Sequence, residues 1–181
     1  MDRDLQKHLP RSIRLKDYDY SQAGAYFITV CAHNKECLFG NVIDGRMQLS
    51  KWGCIVNEFW KGIPLHFQSI EIDASVVMPN HIHAIIFINE FGRGGVSPPG
   101  VESPLPLQKI TLGKVLAYYK YQTTKLINQA RNSLGKSVWQ RNYYDHVIRN
   151  DADLNRIREY ILCNPLKWDI DSENPAKQKL L

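Results

Sequence analysis

The 181-residue chain has no apolar run that approaches the roughly 20 residues a membrane-spanning helix needs. A helical membrane protein is therefore excluded. Its first residues, Met1-Asp2-Arg3-Asp4-Leu5-Gln6-Lys7, lack the apolar stretch of a secretory signal, so a cytoplasmic location is expected. Cysteine is sparse and unpaired in pattern: Cys31, Cys37, Cys54 and Cys163 form no CxxC pair and no zinc-ribbon spacing, which leaves reduced, inert thiols as the expectation. There is no internal repeat. Acidic residues are almost missing between Pro104 and Asn150, where Asp145 stands alone against Lys109, Lys114, Lys120, Lys125, Arg131, Lys136, Arg141 and Arg149. A total charge of +5 is modest, but that stretch alone carries +7. Basic charge gathered in one place suits a polyanion, usually nucleic acid, or else a solvated helix face.

The chain is long enough for one domain with a substantial core. Residues 1–20 are expected as an N-terminal arm, 21–168 as the domain, and 169–181 as a C-terminal tail. Ala25–Ala32 reads as a strand near the sheet centre, and Asp44-Gly45 between apolar stretches reads as a hairpin turn. Ser50 is expected to cap a helix that runs to about Gly62 and that Pro64 ends; Trp52, Ile55, Val56, Phe59 and Trp60 form its apolar stripe. The glycine- and proline-rich residues 91–106 form no regular element and are expected as a flexible loop. A long helix over about 110–131 has Leu112, Leu116, Tyr119, Thr123, Leu126 and Ala130 on one face. Lys114, Tyr118, Tyr121 and Lys125 lie on the other. Interleaved cations and aromatics suit phosphates and unpaired bases, as Arg141 does further on; a solvated lysine-tyrosine face is the plainer alternative. Asp151 is expected to cap a last helix to about Cys163, closed by Pro165.

The chemistry centres on Val76–Ile88, an apolar strand broken by Pro79-Asn80 and resumed with His81-Ile82-His83. Alternation puts both imidazoles on one face, about 6–7 Å apart along the strand, with Ile82 in the opposite layer. The pair is open between a shared divalent metal and ordinary hydrogen bonding. On the last helix Arg156, Tyr160 and Asn164 recur every fourth residue and share a face, opposite Leu154, Ile157 and Ile161. A tyrosine hydroxyl, with an ordinary pKa of about 10, becomes a nucleophile only with a polarising partner. On the residues alone, Tyr160 reads first as an ordinary amphipathic-helix residue, its ring in the core and its hydroxyl wet.

Three segments in order, Met78-Pro79-Asn80-His81-Ile82-His83, Val138–Asn150 and Tyr160-Ile161-Leu162-Cys163-Asn164-Pro165, resemble the REP-associated tyrosine transposases, within the single-tyrosine branch of the HUH endonucleases. The resemblance runs from about Ala25 to Trp168. It implies an α+β, ferredoxin-like fold: a central antiparallel sheet carrying the His-x-His strand, with helices packed on one face. It implies that His81 and His83 bind the metal, that Asn164 completes the site, and that the metal is Mg2+ or Mn2+. It makes Tyr160 the nucleophile in DNA transposition and recombination chemistry: nicking and rejoining of single-stranded DNA beside hairpin-forming palindromes through a 5′-phosphotyrosine. Wider members of the branch act as dimers, so the resemblance admits a homodimer as well as a monomer.

Lys114, Tyr118, Tyr121, Lys125 and Arg141 are the candidates for DNA binding, from their charge pattern. Tyr118, Tyr121, Tyr143 and Tyr144 are rival nucleophiles, and His146 is open between an auxiliary acid, base or phosphate contact and a structural role. Two other readings stand beside this one: a non-catalytic hairpin or single-strand binding protein, and a phosphohydrolase that uses water.

Overall fold

A computed structural model of the chain describes residues 18–89 and 110–178. Most of the expected N-terminal arm and the whole of the 91–106 loop lie outside the described residues. Strand β1, Gly24–Cys31, is aromatic and β-branched and almost wholly buried, as a central strand must be. Strands β2 (Gly40–Ile43) and β3 (Arg46–Leu49) form the expected hairpin, with Asp44 and Gly45 both at positive φ, the geometry of a tight two-residue turn. Ser50 caps helix α1, Lys51–Lys61, its hydroxyl accepting from the Trp52 and Gly53 amides. After Gly62 the chain takes one more short turn, α2, Ile63–His66, which Pro64 begins instead of ending α1.

Strands β4 (Ile70–Val77) and β5 (His81–Ile88) are joined at Met78-Pro79-Asn80, as the proline-asparagine break implies. Helix α3 spans Leu112–Ala130, strand β6 spans Tyr144–Ile148, and helix α4 spans Asp151–Cys163. The cap of α4 is Asn150, one residue earlier than expected: Asn150 is extended and its side chain accepts from the Asp153 amide, leaving Asp151 inside the first turn.

The four long strands pair antiparallel in the order β4-β5-β1-β6, with β1 against β5 on one side and β6 on the other. With α1 between β1 and β4, and α3 between β5 and β6, this is the ferredoxin-like arrangement. The even-numbered residues Tyr26, Ile28, Val30, Ile82, Ala84 and Ile86 face a core built with Val56 and Trp60 of α1 and Leu112, Val115, Leu116, Tyr119 and Ile127 of α3. Burial of those apolar side chains is the main favourable term in the fold.

The helices divide between the faces, whereas all were expected on one. Helix α4 packs Ile157 and Ile161 on Ala25, Phe27 and Ile85, the odd-numbered residues of β1 and β5, and on Ile148 of β6, which pairs with Ala25. Alternation along β5 forces this: His81 and His83 share the Ile85 face, so a helix bringing a side chain to them must lie there. The stripe of α3 also differs. Leu112, Leu116, Tyr119 and Thr123 are buried as expected, but burial continues through Ile127 and Asn128, not Leu126 and Ala130. Steps alternating four and three average 3.5 residues, and a straight helix of 3.6 drifts off that line over two heptads.

Beyond α4 the chain continues through a 3₁₀ turn, Pro165–Ile170, and then lies against the sheet. Residues 169–178, expected as a tail, are part of the folded body: the Asn80 amide donates to the Glu173 carbonyl at 2.8 Å, and Asn174 is buried. Among the described residues no helix is long and apolar enough to cross a membrane.

Candidate active site

The turn Met78-Pro79-Asn80 sets the histidine strand in register, so that His81 lies opposite Cys31 and His83 opposite Thr29 on β1. Both imidazoles are buried, and their Nε2 atoms approach to 3.0 Å. The neighbouring hydrogen bonds fix what each nitrogen carries. The Asn80 amide donates to the Lys35 carbonyl at 3.1 Å and to that of Glu173, so its oxygen faces His81 Nδ1 at 2.8 Å as an acceptor. His81 therefore carries its proton on Nδ1 and presents a bare Nε2. His83 Nδ1 meets the Thr29 hydroxyl at 2.8 Å, a group that serves as donor or acceptor and thus admits either tautomer. Burial, reinforced by the Lys35 charge, holds the His81 pKa down to about 3. Burial and the neighbouring His81 hold His83 well below its ordinary value, against the opposing Asp171. Two neutral imidazoles thus face one another.

Tyr160 reaches this pair from α4. Ile157 and Ile161 anchor the helix on Phe27 and Ile85, and the face between them turns Tyr160 onto the sheet. Its hydroxyl lies 3.1 Å from His83 Nε2, and its ring meets Phe27 edge-on, with 41% of the residue still exposed. Burial and the carboxylates of Asp171 and Glu173 raise its pKa, while the nearby Asn164 amide opposes them. One turn on, Asn164 is 2% exposed, and its side-chain oxygen is buried without a hydrogen-bond partner. An orphaned buried acceptor is costly unless something occupies it.

The structure adds a residue the sequence did not single out. The Asp171 carboxylate joins the histidine pair, with one ligand atom from each of the three residues within 4.8 Å of the others. Two imidazole nitrogens and a carboxylate converge here, and the unpaired amide oxygen of Asn164 lies one turn beyond Tyr160 at the end of α4. This mixed nitrogen and oxygen set fits a divalent ion harder than two imidazoles alone would select. Asp171 escaped the sequence reading because it follows a 3₁₀ turn, where no periodicity links it to the histidines. Thr29 could have been found: it is the inward-facing residue of β1 two places from Phe27. Asn80 could also have been found, as the polar residue that closes the turn before His81.

His83, Tyr160, Asp171 and Thr29 line a cavity of about 640 Å³ that also takes in Phe27, Tyr144, His146 and Arg156. His146 pairs with Asp153 at 2.8 Å. Of the rival tyrosines, Tyr143 and Tyr144 line this cavity, whereas Tyr118 and Tyr121 stand on α3 across the sheet. Tyr118 is stacked on His66, ring centroids 4.0 Å apart and nearly parallel, and Tyr121 is exposed.

The cationic candidates lie on that other side. Tyr121, Lys125 and Arg141 line a groove of about 620 Å³, and Lys114 is exposed nearer the start of α3. Lys120, counted in the same basic stretch, is turned inward: its ammonium donates to the carbonyls of Gln140, Arg141 and Asn142. Gln140 lines both the groove and the cavity at the histidine pair, so the segment that Lys120 holds is the saddle between them.

No protein-family model matches the chain. A Haemophilus influenzae protein described only as uncharacterized is 42% identical over 168 residues, covering 91% of this chain and 92% of its own. A second protein from that organism, assigned by name to the REP-associated tyrosine transposases, is 26% identical over 160 residues, covering 82% of this chain and 74% of its own. The solved structure of a REP-associated tyrosine transposase bound to a REP hairpin shares the fold, with a TM-score of 0.52 at 20% identity over 86% of this chain and 74% of that one. Three ordered motifs, a sheet that gathers their histidines and tyrosine at one point, and these likenesses point the same way: the chain is similar to a REP-associated tyrosine transposase in sequence and shares the fold of another.

Proposed function

We propose that the protein is a metal-dependent transesterase of single-stranded DNA, which nicks and rejoins strands beside hairpin-forming palindromes through a 5′-phosphotyrosine at Tyr160. The observation that carries this reading is the contact between the Tyr160 hydroxyl and His83 Nε2, beside the point where His81, His83 and Asp171 bring their ligand atoms together.

His81, His83, Asp171 and Asn164 are the residues that would hold Mg2+ or Mn2+. Such an ion, when bound, withdraws charge from a phosphodiester oxygen and so raises its electrophilicity. The chain's own groups do the rest. Asn80 and Thr29 orient the imidazoles, and α4 carries Tyr160 to the phosphorus. The Tyr160 oxygen forms a bond to phosphorus as the bond from phosphorus to the 3′-oxygen breaks; the proton lost by the tyrosine is matched by one gained at the new 3′-hydroxyl. The phosphate ester is conserved, so the reverse attack by a 3′-hydroxyl rejoins DNA without an external energy source.

Burial and the carboxylates of Asp171 and Glu173 disfavour a free Tyr160 phenolate, and positive charge held at the histidine pair would offset them. Lys114, Tyr118, Tyr121, Lys125 and Arg141 are the proposed grip on the hairpin, the ligand held by the solved relative. Labelled single-stranded hairpins from the palindromes beside the protein's own gene, incubated with Mn2+ or EDTA, test the reading. A covalent adduct on the 5′ end of the downstream fragment, absent in EDTA and in Tyr160→Phe, is expected. Multiple-turnover hydrolysis by Tyr160→Phe contradicts the proposal in favour of a phosphohydrolase.

A further inference from the structure

Beside the nucleophile, the catalytic cavity contains a second group of polar side chains that the chemistry above does not use. Asp153 sits in the first turn of α4, one carboxylate oxygen on His146 Nε2 and the other on the Arg156 guanidinium. The two interactions hold the Asp153 pKa below its ordinary value, with His146 the larger cause. Asp153 is largely shielded, its side chain 18% exposed, while Arg156 is 71% exposed. The carboxylate thus works as an internal strut, with its partners turned outward.

Arg156 uses one arm of its fork on Asp153, and a guanidinium has five donors in a fixed plane. Arg156 is four residues before Tyr160, about 6 Å along the helix axis on the same face. His146 is on the central face of β6, paired with Phe27, whose ring contacts both Tyr160 and Tyr144. Tyr144, two residues before His146, lines the cavity with an exposed ring. An aromatic ring beside an outward-facing guanidinium is the pairing that takes one nucleotide: base on ring, phosphate on cation.

Resting on the proposed cleavage at Tyr160, we propose that Arg156, with His146, binds the backbone phosphate adjoining the scissile one, that Asp153 positions both, and that Tyr144 stacks the intervening base. The chemical class of the ligand is a nucleotide unit of an unpaired strand. Laid along α4 with one phosphate at Tyr160, the strand brings its neighbour to Arg156. This subsite sets the frame in which the strand enters and leaves the metal ligands to the chemistry.

The test is a scan of single methylphosphonate substitutions, which remove one phosphate charge at a time, along the unpaired flank of the hairpin oligonucleotide. Adduct formation is measured for the wild type, Arg156→Ala, Arg156→Lys and Asp153→Asn, and binding is measured in the Tyr160→Phe background. Neutralising the phosphate next to the cleavage position should raise the wild-type KM about tenfold, the loss expected for one charge-assisted contact, with kcat little changed. Arg156→Ala should show the same rise on unmodified DNA and no further loss on that one modified oligonucleotide. Arg156→Lys should recover part of it, and Asp153→Asn should match the alanine variant without losing its thermal transition.

Losses that add at every position, or that fall on kcat alone, overturn the subsite. If the wild type forms no adduct but binding in Tyr160→Phe keeps the single-phosphate signature removed by Arg156→Ala, the cleavage reading fails and the subsite stands. An adduct with no position-specific effect reverses that outcome. Absence of binding to every strand overturns both.

Discussion

Asn80→Ala separates the two tasks that Asn80 performs. The residue is 1% exposed and makes three hydrogen bonds: to His81 Nδ1, to the Lys35 carbonyl and to the Glu173 carbonyl. Truncation leaves one ring donor and two carbonyls unpaired. At about 1 kcal/mol for each lost bond the sum is about 3 kcal/mol. Water can replace the two part-buried carbonyl contacts, which brings the expected loss to about 2 kcal/mol. The second effect is on the tautomer. Without the Asn80 oxygen nothing fixes the proton on His81 Nδ1, and a ring free to place it on Nε2 is a poorer ligand. Loss of such an orienting partner lowers metal affinity by about 10–100-fold.

Asn80→Asp is the discriminating companion. It keeps an acceptor toward His81 but sets a carboxylate against two carbonyls, so it should lose stability while retaining most of its affinity for Mn2+. Urea unfolding in EDTA reads the first quantity, and calorimetric titration with Mn2+ reads the second. If Asn80→Ala is destabilised but binds Mn2+ as the wild type does, Asn80 does not orient His81 and the tautomer argument is wrong.

Other perturbations follow from the same contacts. His81 and His83 have depressed pKa values in the fold, so the unfolded chain takes up protons that the folded chain refuses. In EDTA, stability should be complete above about pH 6.5 and fall toward pH 3, by about 1.4 kcal/mol per pH unit for each histidine; urea midpoints that stay flat from pH 7 to pH 5 would contradict this. Gly53→Ala places a Cβ 2.0 Å from the Phe39 carbonyl oxygen, where α1 crosses the hairpin entry. A loss of about 3 kcal/mol or failure to fold is expected from circular dichroism melts, and a near-native melting temperature would refute the close approach. Arg158→Ala removes the pair with Asp73, but Arg158 is substantially exposed. Its cost should therefore stay at or below about 1 kcal/mol in urea unfolding; a larger loss would mean that the irregular step in β4 near Asp73 depends on it.

The readable parts of the sequence were those with local or strictly periodic causes. Strand β1 announced itself by its aromatic and β-branched run, the β2–β3 turn by Asp-Gly, and the start of α1 by Ser50. His81 and His83 were placed on one face by alternation alone, and Arg156, Tyr160 and Asn164 by helical spacing. The roles of Tyr160 and Asn164 came from the family resemblance, since neither spacing nor composition singles out a nucleophile.

The harder parts depended on contacts distant in sequence. That α4 would lie across the sheet from α1 and α3 follows from which parity of β1 and β5 it must meet, and two apolar faces on one strand do not say which helix takes which. Asp171 and Glu173 return to the site only because the chain folds back after Ile170, a path without sequence period. Lys120 looked like one more surface cation, yet three carbonyls of the 140–142 segment claim it. Tyr118 likewise looked open for stacking, and His66 already covers one of its faces.

The central claim is that Tyr160 itself becomes joined to DNA. Trypsin cuts after Arg158 and Lys167, so the nucleophile lies in the peptide Glu159–Lys167, with no other tyrosine. After reaction with the hairpin strand in Mn2+, nuclease trimming and digestion, mass spectrometry should find that peptide carrying a nucleotide 5′-phosphate on Tyr160, and should not find it after reaction in EDTA. The nucleotide on a peptide containing Tyr143 and Tyr144, or cleaved DNA with no peptide attached, would contradict the account.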